Sequence, residues 1–279
     1  MKLLIFGGNG MAGHMLADYF RLEGRHQVFY TTRDRSDPHG LIVDVDNIAA
    51  VEQTVSIVSP DCIINAVGVL NRFAEADKIA AYHINGFLPH RLRRAADLVS
   101  ARLIHISTDC VFEGTRGSYT EEDSPDGTSI YAVTKALGEV RESGHVTVRT
   151  SIIGPEIRPG GIGLMGWFLA QSGRVPGYRR VMWNGVTTLE LAKAVGSLLN
   201  SPVSGLIHLA HPAPVSKLEL LGQMASAFGK SDVVIVPTND PVQDRTLAVT
   251  RTDAAFELPS YPDMLAELAG WMSRSGRYT

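Results

Sequence analysis

Short, almost purely apolar runs punctuate the first half of the chain: Leu3 to Phe6, Val28 to Thr31, Leu41 to Val43, Cys62 to Asn65, Leu103 to Ser107 and Val146 to Arg149. They read as continuous rather than alternating, so both faces of each resulting strand must meet an apolar layer. Strands covered on both faces belong to a parallel sheet with crossover helices, and the spacers carry helical patterns. Met11 to Arg21 sets Met11, Met15 and Phe20 near one stripe, and Asn47 to Val58 stops before Pro60. A seventh strand is expected at Leu206 to Leu209. The predicted class is α/β, a doubly wound parallel sheet.

From Ser151 to Arg180 the texture changes, because Pro155, Pro159, Gly160, Gly161, Gly163 and Gly166 crowd one window. The chain is expected to leave the sheet there. Residues 1–150, rejoined by 181–212, are read as a dinucleotide-binding domain, and 151–180 with 213–279 as a smaller C-terminal substrate-binding lobe. Capping boxes are expected at Thr187 with Glu190 and at Ser216 with Glu219. Leu218, Leu221, Ala225 and Phe228 follow the second at helical spacing and read as core.

A formal net charge of -3 and a pI near 6.3 give no basic field for a nucleic-acid backbone, so any phosphate must be held locally. Cys62 and Cys110 lie far apart without metal-ligand spacing, which fits a reducing, cytoplasmic setting. The N-terminal apolar run is broken by Gly7 and Gly8, too early for a signal peptide or membrane span, and no membrane association is expected.

Directly after the first strand comes GGNGMAG, with Gly7, Gly10 and Gly13 spaced through the mouth of a helix and Asn9 and Met11 between them. Gly7 permits the tight turn, Gly10 clears a path for a pyrophosphate, and Gly13 lets helix and strand pack closely; the sheet is therefore Rossmann-type. The helix N-terminus adds N–H donors for phosphate. The second strand ends in Thr31 and Thr32 followed by Arg33 and Arg35, where an acid would suit the ribose of NAD. NADP(H) is thus favoured over NAD(H), although a strand ending later would bring Asp34 to the ribose. Asp44 and Val45 after the third strand are placed near the adenine. Ala66, Val67 and Gly68 after the fourth, together with Asn65 and Asn85, are placed along the cofactor channel.

Tyr131 and Lys135 stand four apart in a helical segment, Ser129 to Glu139, and so share a face. An ammonium there is expected to lower the phenol from its usual pKa of about 10 and make it a proton donor. Upstream, the strand ending at Ser107 delivers Ser107, Thr108 and Asp109 to the carboxyl end of the sheet, where open parallel sheets bind ligands. A hydroxyl there can donate to a substrate carbonyl, with Thr108 the first choice and Ser107 the second. Arg158, Arg179, Arg180 and Trp183 are candidates for diphosphate pairing and base stacking, while His105 and His208 read as core.

GGNGMAG, STDCVFEG, YAVTK with GE following, and VRTSIIGPE together resemble the extended short-chain dehydrogenases, and within them the dTDP-4-dehydrorhamnose reductase family. The likeness covers most of the first 155 residues and thins through NGVTTLELAK and GLIHLA. It implies a catalytic set of Thr108, Tyr131 and Lys135, with Lys135 also on the nicotinamide ribose, and reduction of a keto group on a nucleotide-linked 6-deoxysugar. Dehydratases of the superfamily place Asp-Glu after the catalytic threonine, whereas Asp109 is followed here by Cys110. Ile152 and Ile153 stand where rhamnose-forming reductases carry an aromatic, so the sugar pocket is expected to differ. Some relatives form a metal-bridged dimer through an acid in the first helix; this helix has His14 and Met15, so no metal is expected and a homodimer remains open. The alternatives are a nucleotide-sugar epimerase and a non-catalytic NADP-binding regulatory subunit, the latter known among relatives as a partner of methionine adenosyltransferase.

Overall fold

The computed structural model describes residues 1–158 and 160–275, so Pro159 and the last four positions of the expected substrate lobe lie outside the described residues. Each apolar run forms a strand: β1 (Lys2–Phe6), β2 (Gln27–Thr32), β3 (Leu41–Ile42), β4 (Cys62–Asn65), β5 (Arg102–Ile106), β6 (Val146–Thr150) and β7 (Gly205–Leu209). They pair in parallel in the order β7-β6-β5-β4-β1-β2-β3. The order reverses between β1 and β4, which opens a crevice at their carboxyl ends.

Helices cover both faces, as the continuous apolar runs require. One apolar layer joins Leu3 and Ile5 of β1 to Met15, Leu16 and Phe20 of the helix Met11–Glu23 and to Leu191 and Val195 of Thr188–Leu198. The other joins Leu4 and Phe6 to Val51 and Val55 of Ile48–Val58 and to Leu92 and Ala96 of Leu88–Leu98.

The lobe is built from small sheets. The strand Val181–Trp183 pairs with Val215–Ser216 and Gln243–Asp244, and Gly173–Tyr178 pairs with Val233–Thr238. Val181–Trp183 therefore sits with lobe strands, and the chain returns to the large sheet's helical layer only from Thr188. A complete capping box forms at Ser216 and Glu219, whereas Thr187 accepts from the Glu190 N–H while the Glu190 carboxylate is drawn to Lys193, 3.2 Å away. Among the described residues no helix is long and apolar enough to cross a membrane.

Candidate active site

Gly7 sits at φ 88°, and the Gly10 N–H closes the turn on the Gly7 carbonyl at 2.9 Å. A Cβ on Gly13 would lie inside the van der Waals envelope of that same carbonyl oxygen, so only glycine lets the helix approach. Met11–Glu23 starts without a side-chain cap, leaving its first N–H groups for an anion.

A cleft runs from here in two directions. One arm is lined by Gly7, Gly10, Thr32, Arg33, Val45 and Arg158; the other by Met11, Ser107, Thr108, Asp109, Tyr131 and Lys135. Gly10, Ala66, Val67 and Gly68 line both arms, so the cleft is continuous. Asn9 stands at its edge, donating to Thr32 Oγ1 over 2.9 Å.

Several candidates are placed differently from their sequence reading. Arg158, read as a substrate cation, lines the first arm, where it feels the charges of Arg33 and Asp34. Because β2 ends at Thr32, Asp34 falls beyond it and folds its carboxylate back onto the Ser36 N–H and hydroxyl, at 2.9 and 2.6 Å. Asp44 is exposed outside the lining and accepts from the Asp46 N–H. Asn85 is fully buried, bonding both backbone groups of Val69 and the Thr134 hydroxyl, so it braces the channel wall. Arg179 is exposed and off the cleft. Trp183 is a wall support: its indole N–H donates to Ser151 Oγ over 2.9 Å and its ring packs on Tyr261.

The helix carrying Tyr131 and Lys135 runs Ile130–Leu137. Ser129 caps it by accepting from the Ala132 N–H, and Gly138 ends it where any Cβ would strike the Asn85 carbonyl. That carbonyl belongs to a π-helical stretch, Tyr82–Phe87, which no periodicity announces. Both side chains line the cleft. The expected effect of Lys135 on the phenol is not what the structure gives, because desolvation dominates. Burial pushes the Tyr131 phenol well above its ordinary value, nearby Cys110 and Asp109 push the same way, and a hydrogen bond with Thr108 pulls back. Lys135 Nζ donates instead to the Ile106 carbonyl over 2.8 Å, and burial lowers its pKa to about 8. The sequence spacing fixes a shared face but not how deep that face lies.

Thr108 donates to Asp109 Oδ1 over 3.2 Å and accepts from the Cys110 N–H, so it caps a short turn as well as facing the cleft. The Ser107 hydroxyl is committed to Glu139, 3.0 Å away. Burial raises Asp109, opposed by Arg245 and Lys217.

Sequence reasoning missed two groups. Lys217, at the first turn of Lys217–Ala227, lies 5.1 Å over the Trp183 ring and is depressed to about 8 by burial. Arg245 donates to the Phe112 carbonyl over 2.8 Å and reaches toward Cys110 Sγ. The capping box before Lys217 was visible, but not that it aims this end of the helix at the Thr108 loop. No cluster of His, Cys, Asp and Glu among the described residues is arranged to hold a metal.

Comparison with known proteins bears on this site. The model of the RmlD substrate binding domain matches residues 1–245. A dTDP-4-dehydrorhamnose reductase of Mycobacterium tuberculosis is 29% identical over 241 residues, covering 81% of this chain and 74% of that protein. The methionine adenosyltransferase 2 subunit beta of Rattus norvegicus is 31% identical over 139 residues, 50% of this chain and 41% of that protein. Among solved structures, the Bacillus anthracis dTDP-4-dehydrorhamnose reductase in complex with NADP superposes with a TM-score of 0.81 at 21% identity, covering 96% of each chain.

Proposed function

Because the chain belongs to the family defined by the RmlD substrate binding domain, we propose that it is an NADPH-dependent oxidoreductase that reduces the 4-keto group of a nucleoside-diphosphate 6-deoxysugar of the dTDP-4-dehydrorhamnose type. The observation that carries this reading is the single cleft in which a glycine-lined, arginine-ended arm meets Thr108, Tyr131 and Lys135.

The first arm fits a dinucleotide. Gly7, Gly10 and the open N-terminus of Met11–Glu23 suit the pyrophosphate, and Thr32, Arg33 and Arg158 suit a 2'-phosphate, since two guanidinium groups line that arm while the neighbouring acid, Asp34, lies outside its lining and turns onto its own loop. Bound NADPH supplies the hydride. Tyr131 donates its proton to the oxygen of the reduced carbon, and its raised pKa keeps it in the donor form at neutral pH. Thr108 rotates its hydroxyl from Asp109 to the keto oxygen and fixes its position. Lys135 provides the positive charge that a developing buried phenolate requires. Lys217 and Arg245 are the lobe cations nearest Thr108 and suit the anionic part of the substrate better than the outlying Arg179.

Intact Thr108, Tyr131 and Lys135 in the cleft favour catalysis over a purely regulatory role. The reading includes a cytosolic setting, where Cys62 and Cys110 stay free thiols, and use of the product in polysaccharide assembly. Incubating the protein with a panel of nucleotide-linked 4-keto sugars and NADPH, and following nicotinamide absorbance, tests it. Loss of absorbance with at least one member is expected, and no loss with any would reject the reading.

Arg158→Ala should raise KM for NADPH by about ten- to a hundredfold while leaving NADH nearly unaffected, the loss of one charged phosphate contact. An equal effect on both cofactors would take Arg158 off the 2'-phosphate. The pH profile of kcat/KM for NADPH reports the free enzyme. The Lys135 ammonium, lowered to about 8 by burial, is present below that value and lost above it. Activity should therefore fall on the alkaline side with an apparent pKa near 8; a profile flat to pH 10 would contradict this.

A further inference from the structure

Behind Lys135 lies a buried line of polar atoms whose direction is fixed by one backbone group. The Val67 N–H donates to Asn65 Oδ1 over 3.2 Å. A backbone N–H has no lone pair, so the amide must turn its oxygen to Val67 and its nitrogen the other way. That nitrogen meets His105 Nδ1 at 3.1 Å, which makes Nδ1 the acceptor. A neutral imidazole accepting at Nδ1 carries its proton on Nε2, and Nε2 is the atom 3.5 Å from Lys135 Nζ. Asn65 and His105 are fully buried and Lys135 nearly so, so water does not rescue a mismatch. The imidazole thus points the positive end of an N–H dipole at the amine.

We propose that His105 is a positioning residue for the reduction: locked in one tautomer by Asn65, it opposes the ammonium form of Lys135 and, added to burial, helps set the alkaline limit of turnover. The inference rests on the reductase reading above and extends it to a residue read from sequence as ordinary core. The groups that act electrostatically on Lys135 and His105 account for the balance. Glu139, just past the end of the same helix, favours the ammonium, as does the Ile106 carbonyl that accepts from it. His105 is itself held neutral by burial, then by Lys135 and by His90 from the helix Leu88–Leu98, against a smaller pull toward the charged ring from the Asn65 backbone. Because Val67 lines both arms of the cleft, the same line of bonds joins the lysine to the wall of the cofactor channel.

The first test needs no turnover. Nuclear magnetic resonance of the 15N-histidine-labelled protein at neutral pH, with the His105 signals assigned by their loss in His105→Gln, should show a bare Nδ1 and a protonated Nε2. A protonated Nδ1, alone or in an imidazolium, would overturn the proposal. The second test is Asn65→Asp, which still serves the Val67 N–H but can no longer donate to Nδ1. The imidazole should turn its proton to the aspartate and its Nε2 lone pair to Lys135, moving the alkaline limb of kcat/KM upward by about one pH unit. An unmoved limb, including one with activity lowered equally at every pH, would reduce His105 to packing. If the wild-type protein reduces no keto sugar, the reductase reading fails, and the tautomer measurement still decides the arrangement at His105.

Discussion

Tyr131→Phe should lower kcat for keto-sugar reduction by about 10² to 10⁴, the usual contribution of a positioned general acid, while NADPH affinity stays within about twofold. The substitution removes one oxygen from a side chain that is 9% exposed and packs with Ala74 and Ala81, so the ring and its helix keep their place. Binding is expected to survive because the pyrophosphate and 2'-phosphate contacts proposed above belong to the other arm. Stopped-flow turnover beside a fluorescence titration of NADPH separates the two effects. Unchanged turnover would remove the phenol from the mechanism, and loss of cofactor binding in parallel would make it structural.

The largest loss of stability is expected at Arg149→Met. Arg149 is fully buried, with Nε 2.6 Å and Nη2 2.7 Å from the two Glu139 oxygens and Nη1 3.5 Å from His208 Nε2. His208 donates from Nδ1 to the Ala248 carbonyl over 2.8 Å, which leaves Nε2 free to accept from the guanidinium. Removing the cation leaves the buried carboxylate with only the half-exposed Arg141, 3.5 Å away, at a cost of about 3–5 kcal/mol, or about 10 °C in melting temperature for a chain of this size. The double variant Glu139→Met with Arg149→Met should recover part of the loss, because no buried charge is then left unpaired and the half-exposed Arg141 returns to solvent. Thermal denaturation of the three proteins decides. A double variant less stable than the single one would mean that packing, not the stranded charge, carries the loss. Since Ser107 donates to the same Glu139, the single variant should also loosen the strand end that presents Thr108.

The central sheet was legible because apolar content and β-branching act locally, and a run such as Leu3 to Phe6 has only one way to be satisfied. The glycine loop was legible for a similar reason: Gly7 and Gly13 are demanded by a turn and a close approach within a few residues of each other. What stayed hidden depends on contacts between distant segments. Arg149 ends an otherwise apolar run, and nothing in its neighbours says that Glu139 will face it across a helix and a strand. A Pro- and Gly-rich loop does not disclose where it folds back, so the sequence alone does not place Arg158 beside Thr32 and Arg33. The spacing of Tyr131 and Lys135 gave their common face, yet burial reversed the direction expected for the phenol, since desolvation is set by the π-helical stretch and the loops packed around that face. His105 looked like core, and only the fixed orientation of Asn65 gives its ring a direction.

In the proposed reaction hydride passes from the cofactor to the keto carbon, and isotope transfer tests that step directly. Reaction of a nucleotide-linked 4-keto-6-deoxysugar with NADPH deuterated at nicotinamide C4, in each stereoisomer, is predicted to place deuterium at sugar C4 from one of the two, with one NADP⁺ formed per reduced sugar. Deuterium retained on the nicotinamide from both isomers, or product formed without accumulation of NADP⁺, would contradict it.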